Sequence, residues 1–294
     1  LKRHRAALIV AVTLFLLTSL VVGMLLFARP STFDGQNALK YVAYQMALGP
    51  RTPSSQAHKE IIDWLVSQLR QYGWQVEVQD LEYQGHRIQN VIAKRGSSGR
   101  WIILGAHYDS RMSADQDPDP ALQAQAVPGA NDGASGVAVL MEIARVYRPQ
   151  PDVQAWLVFF DAEDQGHLPG WDWILGSRAF VEYLQGTPEQ VIILDMVGDA
   201  DQDIYFESNS DATLNAQVWQ VAAALGYGQT FIPEQKYSML DDHTPFLEKG
   251  ITAIDIIDFD YPYWHTTSDT VDKISAQSLQ RIGDTILEWL KSAE

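Results

Sequence analysis

There is no cysteine anywhere in this chain of 294 residues. Disulfides and thiolate ligands are therefore excluded: stability must come from the core, and any metal site must use His and carboxylates. Basic residues are scarce as well, with 21 Lys and Arg against 37 Asp and Glu and a net charge of −16. Residues 1–30 hold Lys2, Arg3, Arg5 and Arg29 and no acid, so setting those four positive charges aside leaves −20 on the rest. Such an acidic body repels phosphate backbones, and nucleic acid is not an expected partner. No G-x-S-x-G elbow is present, and Gly133-Ala134-Ser135-Gly136 has a different spacing, which argues against serine hydrolase chemistry. A phosphate-binding P-loop is missing too, and no internal repeat or low-complexity block interrupts the chain.

What is present is a large apolar content, 46% hydrophobic and 11% aromatic, ample for one large core. Residues 6–27 form an apolar run broken only by Thr13, Thr18, Ser19 and Gly23. A run of about 20 apolar residues is enough to span a bilayer. Its basic flank predicts a cytoplasmic N-terminus, with everything after Pro30 on the extracytoplasmic side. The competing reading is a cleaved signal peptide and a secreted body, but that apolar region is normally shorter, and no small-x-small site follows Phe27. The expectation is a signal-anchor transmembrane helix over 1–30, which makes the membrane a partner, and a single domain over 31–294.

Within that domain, apolar spacing predicts helices over 37–48 and 55–72, then strands over 74–81 and 87–94 turning at Gly85. Further strands are expected at 101–105, 155–160, 191–196, 204–207 and 251–257. Helices are expected at 136–147, 177–184, 212–225, 244–249 and 276–290. Apolar strands interleaved with helices imply a sheet covered on both faces. The predicted fold class is α/β, a three-layer α/β/α sandwich whose central sheet is mixed but mostly parallel.

Active sites in such sheets lie beyond the carboxyl ends of the strands. Here the expected strands run into His107 and Asp109, into Asp161, Glu163 and Asp164, into Asp195, and through Asp258 and Asp260 to His265, while Asp132 sits just before a helix. Each has a plain alternative: Asp132 is placed to be a helix cap, Glu163-Asp164 to be a solvated loop, and His265 to be a surface histidine. Together they would crowd negative charge at one edge, which a divalent cation relieves. Two His with carboxylates suit a catalytic zinc with an open position. In an adjacent Glu-Asp pair, one carboxylate can bind metal while the other shuttles protons.

The ordered motifs Gly49-Pro50-Arg51-Thr52-Pro53, Gly105-Ala106-His107-Tyr108-Asp109-Ser110, Gly129-Ala130-Asn131-Asp132-Gly133, Phe160-Asp161-Ala162-Glu163-Asp164, Asp241-Asp242-His243 and His265-Thr266-Thr267 resemble the zinc exopeptidases. That family includes bacterial aminopeptidases and glutaminyl-peptide cyclotransferases. The resemblance implies Asp132, Asp164 and His265 as zinc ligands and Glu163 as general base. It implies Asp109 as the carboxylate orienting His107, and His107 with Asp195 as ligands of a possible second zinc. Asp164 departs from the Glu frequent in the family and is one methylene shorter.

The long tryptophan-bearing loop after Asp164, the doubled Asp241-Asp242 and Trp264 before His265 resemble the cyclotransferase branch most. That branch implies one zinc, a substrate pocket involving Trp171, Trp173 and Trp264, and an Asp195–Asp242 pair in the catalytic set. The aminopeptidase branch implies two zincs and hydrolysis of the N-terminal residue. Either acts on peptide or protein N-termini, and no obligate protein partner is implied. A catalytically silent anchored ectodomain is the third reading, against which the intact Glu163 speaks.

Overall fold

A computed structural model describes residues 32–292 of the chain. The expected membrane segment, 1–30, lies outside the described residues. Among those described, no helix is long and apolar enough to cross a membrane.

Helix α1 (Gly35–Leu48) starts where the Asp34 carboxylate accepts the backbone N–H groups of Gln36 and Asn37. Helix α2 (Gln56–Gln71) is capped by Ser55 and buries Ile61, Ile62, Leu65 and Leu69 on one stripe. Strands β1 (Gln75–Tyr83) and β2 (His86–Arg95) form a hairpin. Its two-residue loop, Gln84-Gly85, has both φ angles positive, as a tight hairpin turn requires. The chain continues through β3 (Arg100–His107), α3 (Ala134–Val146), β4 (Val153–Phe160), α4 (Leu175–Tyr183) and β5 (Gln190–Asp195). It ends with β6 (Ile204–Glu207), α5 (Ala212–Ala224), β7 (Phe231–Tyr237), α6 (Thr244–Glu248), β8 (Ala253–Ile257) and α7 (Ala276–Ser292).

The six-stranded sheet has the order β1-β2-β4-β3-β5-β8. Both pairings of β2 are antiparallel, and the pairings from β4 to β8 are parallel, the mixed sheet that the early hairpin implies. Successive strand residues point to opposite faces, and the core divides accordingly. Ile102, Leu104, Leu157, Phe159, Ile192 and Leu194 pack with α1, α2, α3, α5 and α7. Ile103, Val158, Phe160, Val191 and Ile193 pack with α4 and α6. These are the three layers.

Strand β7 was not foreseen. It contains Pro233 and four consecutive exposed residues, so it reads as a loop, yet it pairs with β6 in a separate two-stranded sheet, where an edge tolerates proline. The predicted strand over 251–257 begins only at Ala253.

From β3 the chain crosses to β4 on one side and then to β5 on the other. That reversal opens a crevice at the carboxyl ends of β3 and β5. Helix α3 lies tight against both strands: a Cβ on Gly136 would fall 2.1 Å from the Leu194 carbonyl oxygen and 3.0 Å from Ala106 Cβ. Because the obstacle is backbone, Gly136→Ala should lower unfolding free energy by about 1–3 kcal/mol, read as a lower urea midpoint at unchanged slope.

Candidate metal centre at the carboxyl edge of the sheet

Strand β3 ends on His107 and β5 on Asp195, while Glu163 and Asp164 follow β4 and Asp132 precedes α3. Three non-glycine residues here, Ala162, Met196 and His265, have left-handed φ of +50°, +44° and +54°. Such conformations cost of order 1–3 kcal/mol each and gather at functional sites. His107 Nε2 lies 3.0 Å from Asp132 Oδ1 and 3.1 Å from Asp195 Oδ1. His265 Nε2 lies 2.8 Å from Asp164 Oδ1 and 3.7 Å from Asp132 Oδ2. Two buried triads result, His107/Asp132/Asp195 and Asp132/Asp164/His265, and in each the donor atoms lie within 4.8 Å of one another. They share Asp132. A third group of that kind, Asp241/His243/Asp255, is also buried.

The donor chemistry fits zinc: imidazole and carboxylate with no thiolate. Asp164 Oδ2 and both ring nitrogens of His265 are buried without a hydrogen-bond partner, as ligand atoms would be. Asp115 Oδ1 approaches His265 Nδ1 only to 3.4 Å, which is long for such a bond.

The electrostatics agree. Burial pushes the Glu163 carboxyl well above its ordinary value; His107 opposes this, and Asp241, Asp164 and Asp242 reinforce it. Burial and then Asp132 push Asp164 up to about 6 against the pull of His265. Asp195 is raised as well, burial again leading. Asp132 alone of these is held below the usual carboxylate range: burial works against its charge, but His107 and His265 outweigh it. His265 reaches about 9, burial being overcome by Asp164, Asp115 and Asp132. Carboxylates compressed in this way are the setting a divalent cation relieves.

A cavity of about 200 Å³ opens onto the cluster. Glu163, Asp195 and Asp241 line it beside the Asp132/Asp164/His265 set, and Trp173, Phe259 and Trp264 form an aromatic wall. The Trp264 ring stacks on His265 at 3.7 Å, and Trp173 lies nearly parallel to the same imidazole at 6.0 Å.

Two expected site residues are placed elsewhere. Trp171 does not line the cavity: the loop turns at Gly170 (φ +85°), and the indole stacks on His86 of the hairpin at 3.7 Å. Asp242 is fully buried outside the cavity wall, and no hydrogen bond joins it to Asp195, whose partner is His107. Asp241 lines the cavity instead.

Several supporting residues carry little signal in the sequence. Asp269 accepts the backbone N–H groups of Asn131 (2.8 Å) and Asp132 (3.2 Å) and the Tyr261 hydroxyl (2.7 Å), fixing the Asp132 segment. Arg111 donates to both carboxylate oxygens of Asp115, at 2.7 and 2.9 Å, and to the Asp164 carbonyl at 3.0 Å. Only the four-residue spacing of Arg111 and Asp115 hinted at that pair. Asp109 has the place expected for it, 3.3 Å from His107 Nδ1.

A mixed sheet with buried His and carboxylates gathered at its carboxyl edge defines a protein of the zinc-exopeptidase class. The glutaminyl cyclase of Tannerella forsythia superposes with a TM-score of 0.83 at 35% identity, over 88% of this chain and 99% of that one. A Zn-dependent exopeptidase from Parabacteroides distasonis gives 0.84 at 34%, over 89% and 99%. Residues 90–290 match the model of peptidase family M28, and the chain belongs to that family. Aminopeptidase YwaD of Bacillus subtilis is 31% identical over 206 residues, 63% of this chain and 39% of that protein. Cyclases and aminopeptidases thus both stand among its relatives.

Metal removal should be visible in stability. Protein in zinc at 100 times Kd should gain about 2.7 kcal/mol over chelated protein, measured by thermal or urea unfolding. Asp132→Asn should abolish the difference, since Asp132 belongs to both triads.

Proposed function

We propose that the protein is a glutaminyl-peptide cyclotransferase, converting an N-terminal Gln into pyroglutamate with release of ammonia. The observation that carries this reading is a cavity of about 200 Å³ lined both by the aromatic rings of Trp173, Phe259 and Trp264 and by Glu163. A small pocket lined by aromatic rings together with carboxylates suits a flat carboxamide and its ring product. Asp132, Asp164 and His265 would hold zinc, which supplies Lewis-acid polarisation of a carbonyl oxygen.

The chain's own residues do the rest. The α-amine nitrogen of the substrate forms a bond to its own γ-carbonyl carbon, and the bond from that carbon to the amide nitrogen breaks. Glu163 takes the proton lost by the amine and hands it to the departing nitrogen, so that neutral ammonia leaves. Its raised affinity for protons suits a group that must accept a proton before handing it on. The wall of Trp264 and Trp173 holds the glutamine side chain folded and excludes bulk water, which would divert the reaction to hydrolysis. Asp195, bonded to His107, supports the pocket. This reading takes a single zinc at Asp132, Asp164 and His265, where Asp164 Oδ2 is buried without a hydrogen-bond partner.

One observation favours the alternative, a two-zinc aminopeptidase. Asp132 is shared between two triads, as a carboxylate between paired metals would be. In that case His107 and Asp195 hold the second zinc, and Glu163 takes a proton from an attacking water. In either case the apolar composition of residues 1–30 supports a tethered enzyme with its site on the extracytoplasmic side.

Offered H-Gln-peptides and H-Leu-peptides side by side, the protein should release ammonia and a pyroglutamyl product from the first. Free leucine with no cyclised product would sink the cyclase reading in favour of the aminopeptidase. Glu163→Gln should lower turnover by about 10²–10⁴-fold while zinc content stays unchanged. Loss of zinc from that variant would mean that Glu163 is a ligand.

A further inference from the structure

Arg51 lies in the turn between α1 and α2, outside the 90–290 stretch that matches the family. It is nonetheless fully buried. Burying a guanidinium costs several kcal/mol unless its donors are satisfied, so its partners reveal its task. Nε donates to the Tyr108 carbonyl at 2.9 Å, Nη1 to the Pro128 carbonyl at 2.9 Å, and Nη2 to the Gly129 carbonyl at 2.7 Å. Its backbone N–H donates to Ser110 Oγ at 3.0 Å and its carbonyl accepts from Ser110 N–H at 3.4 Å. Tyr108 stands between His107 and Asp109, and Gly129 stands three residues before Asp132. One planar fork therefore clasps both segments that bring His107 and Asp132 within 3.0 Å of each other.

The surroundings are shaped for it. Burial brings the guanidinium down to about 10 against the pull of the Asp269, Asp109 and Asp132 carboxylates, so it is still positive at neutral pH. Gly129 has a φ of +74°, and a Cβ there would fall 2.7 Å from Arg51 Nη2 and 2.4 Å from the Asp132 carbonyl oxygen. Only glycine lets the fork pass so close.

We propose that Arg51 is a positioning residue of the metal centre, setting the spacing of the His107 and Asp132 segments and acting on the site only through them. This rests on Asp132 being a zinc ligand, and its test uses no substrate, so failure of the cyclase reading leaves it intact. Arg51→Lys keeps the charge and stem, but a compact ammonium cannot reproduce a planar three-carbonyl fork. Its zinc affinity, measured by competition with a chromophoric chelator well below the melting temperature, should fall about 10–100-fold, the usual cost of losing an outer support of a metal site. In Arg51→Ala, guanidinium ion at millimolar concentration should restore affinity and methylammonium should not. Should Arg51→Ala fail to fold, Arg51→Lys carries the test. An Arg51→Lys protein that melts earlier but binds zinc within about twofold of the parent would overturn the proposal and leave Arg51 a purely structural residue.

Discussion

Asp132 stands between two imidazoles, 3.0 Å from His107 and 3.7 Å from His265, and stretches of chain far apart in sequence meet on its carboxylate. It is the one carboxyl of the two triads that its neighbours hold below the ordinary range; Asp164 and Asp195 are both raised. A buried negative charge persists only if its surroundings are fixed to favour it. Much of the nearby architecture does that. Asp269 accepts the Asn131 and Asp132 amides, and a Cβ at Gly133 would fall 2.4 Å from His107 Nε2. Gly136 lets α3 come down onto β5, and Arg51 ties the preceding loop to the end of β3.

The sheet supplies the other half of the constraint. Parallel strands β4, β3, β5 and β8 end on one side, so His107 and Asp195 arrive at one edge on the strands themselves, and the loops that carry Asp132, Glu163, Asp164 and His265 start or finish there. The price is local: Ala162, Met196 and His265 all take left-handed backbone conformations to turn away from the strands or into the site. Core packing on both faces of the sheet supplies the stability that this strain draws on.

The parts of this arrangement legible in the sequence are those governed by periodicity. Apolar runs ending in ionisable residues located β3, β4, β5 and β8 and, with the topology rule for such sheets, the edge where His107, Asp132, Glu163, Asp164, Asp195 and His265 collect. What was not legible depends on loop geometry, which has no period. Trp171 and Trp173 are two residues apart, and Gly170 decides that only the second faces the cavity. Asp241 and Asp242 are adjacent, and the turn before α6 selects the first. Asp269, Arg111 and Arg51 support the site through backbone groups of distant segments, and no spacing along the chain announces such contacts. Strand β7 was hidden because edge pairing makes few demands on side chains.

The different settings of Glu163 and Asp164 follow from Asp109. Its Oδ1 accepts the Glu163 N–H at 3.1 Å and lies 3.3 Å from His107 Nδ1. Its Oδ2 accepts the Asp164 N–H at 3.3 Å and the Gln165 side-chain amide at 2.9 Å. A single carboxylate thus pins two successive amides just after the left-handed turn at Ala162. With the backbone held there, the two side chains cannot exchange places: Asp164 is directed to His265, and Glu163 has no ligand partner and faces the cavity. Arg111 adds a further hold on this segment, donating to the Asp164 carbonyl while it binds the Asp115 carboxylate. The placing of the two acids is thus set by the chain ahead of them rather than by the acids themselves, and the same Asp109 carboxylate lies against His107 at the end of β3. One residue thereby couples the register of β3 to that of the segment after β4, so Glu163 and the two His/Asp triads are positioned together.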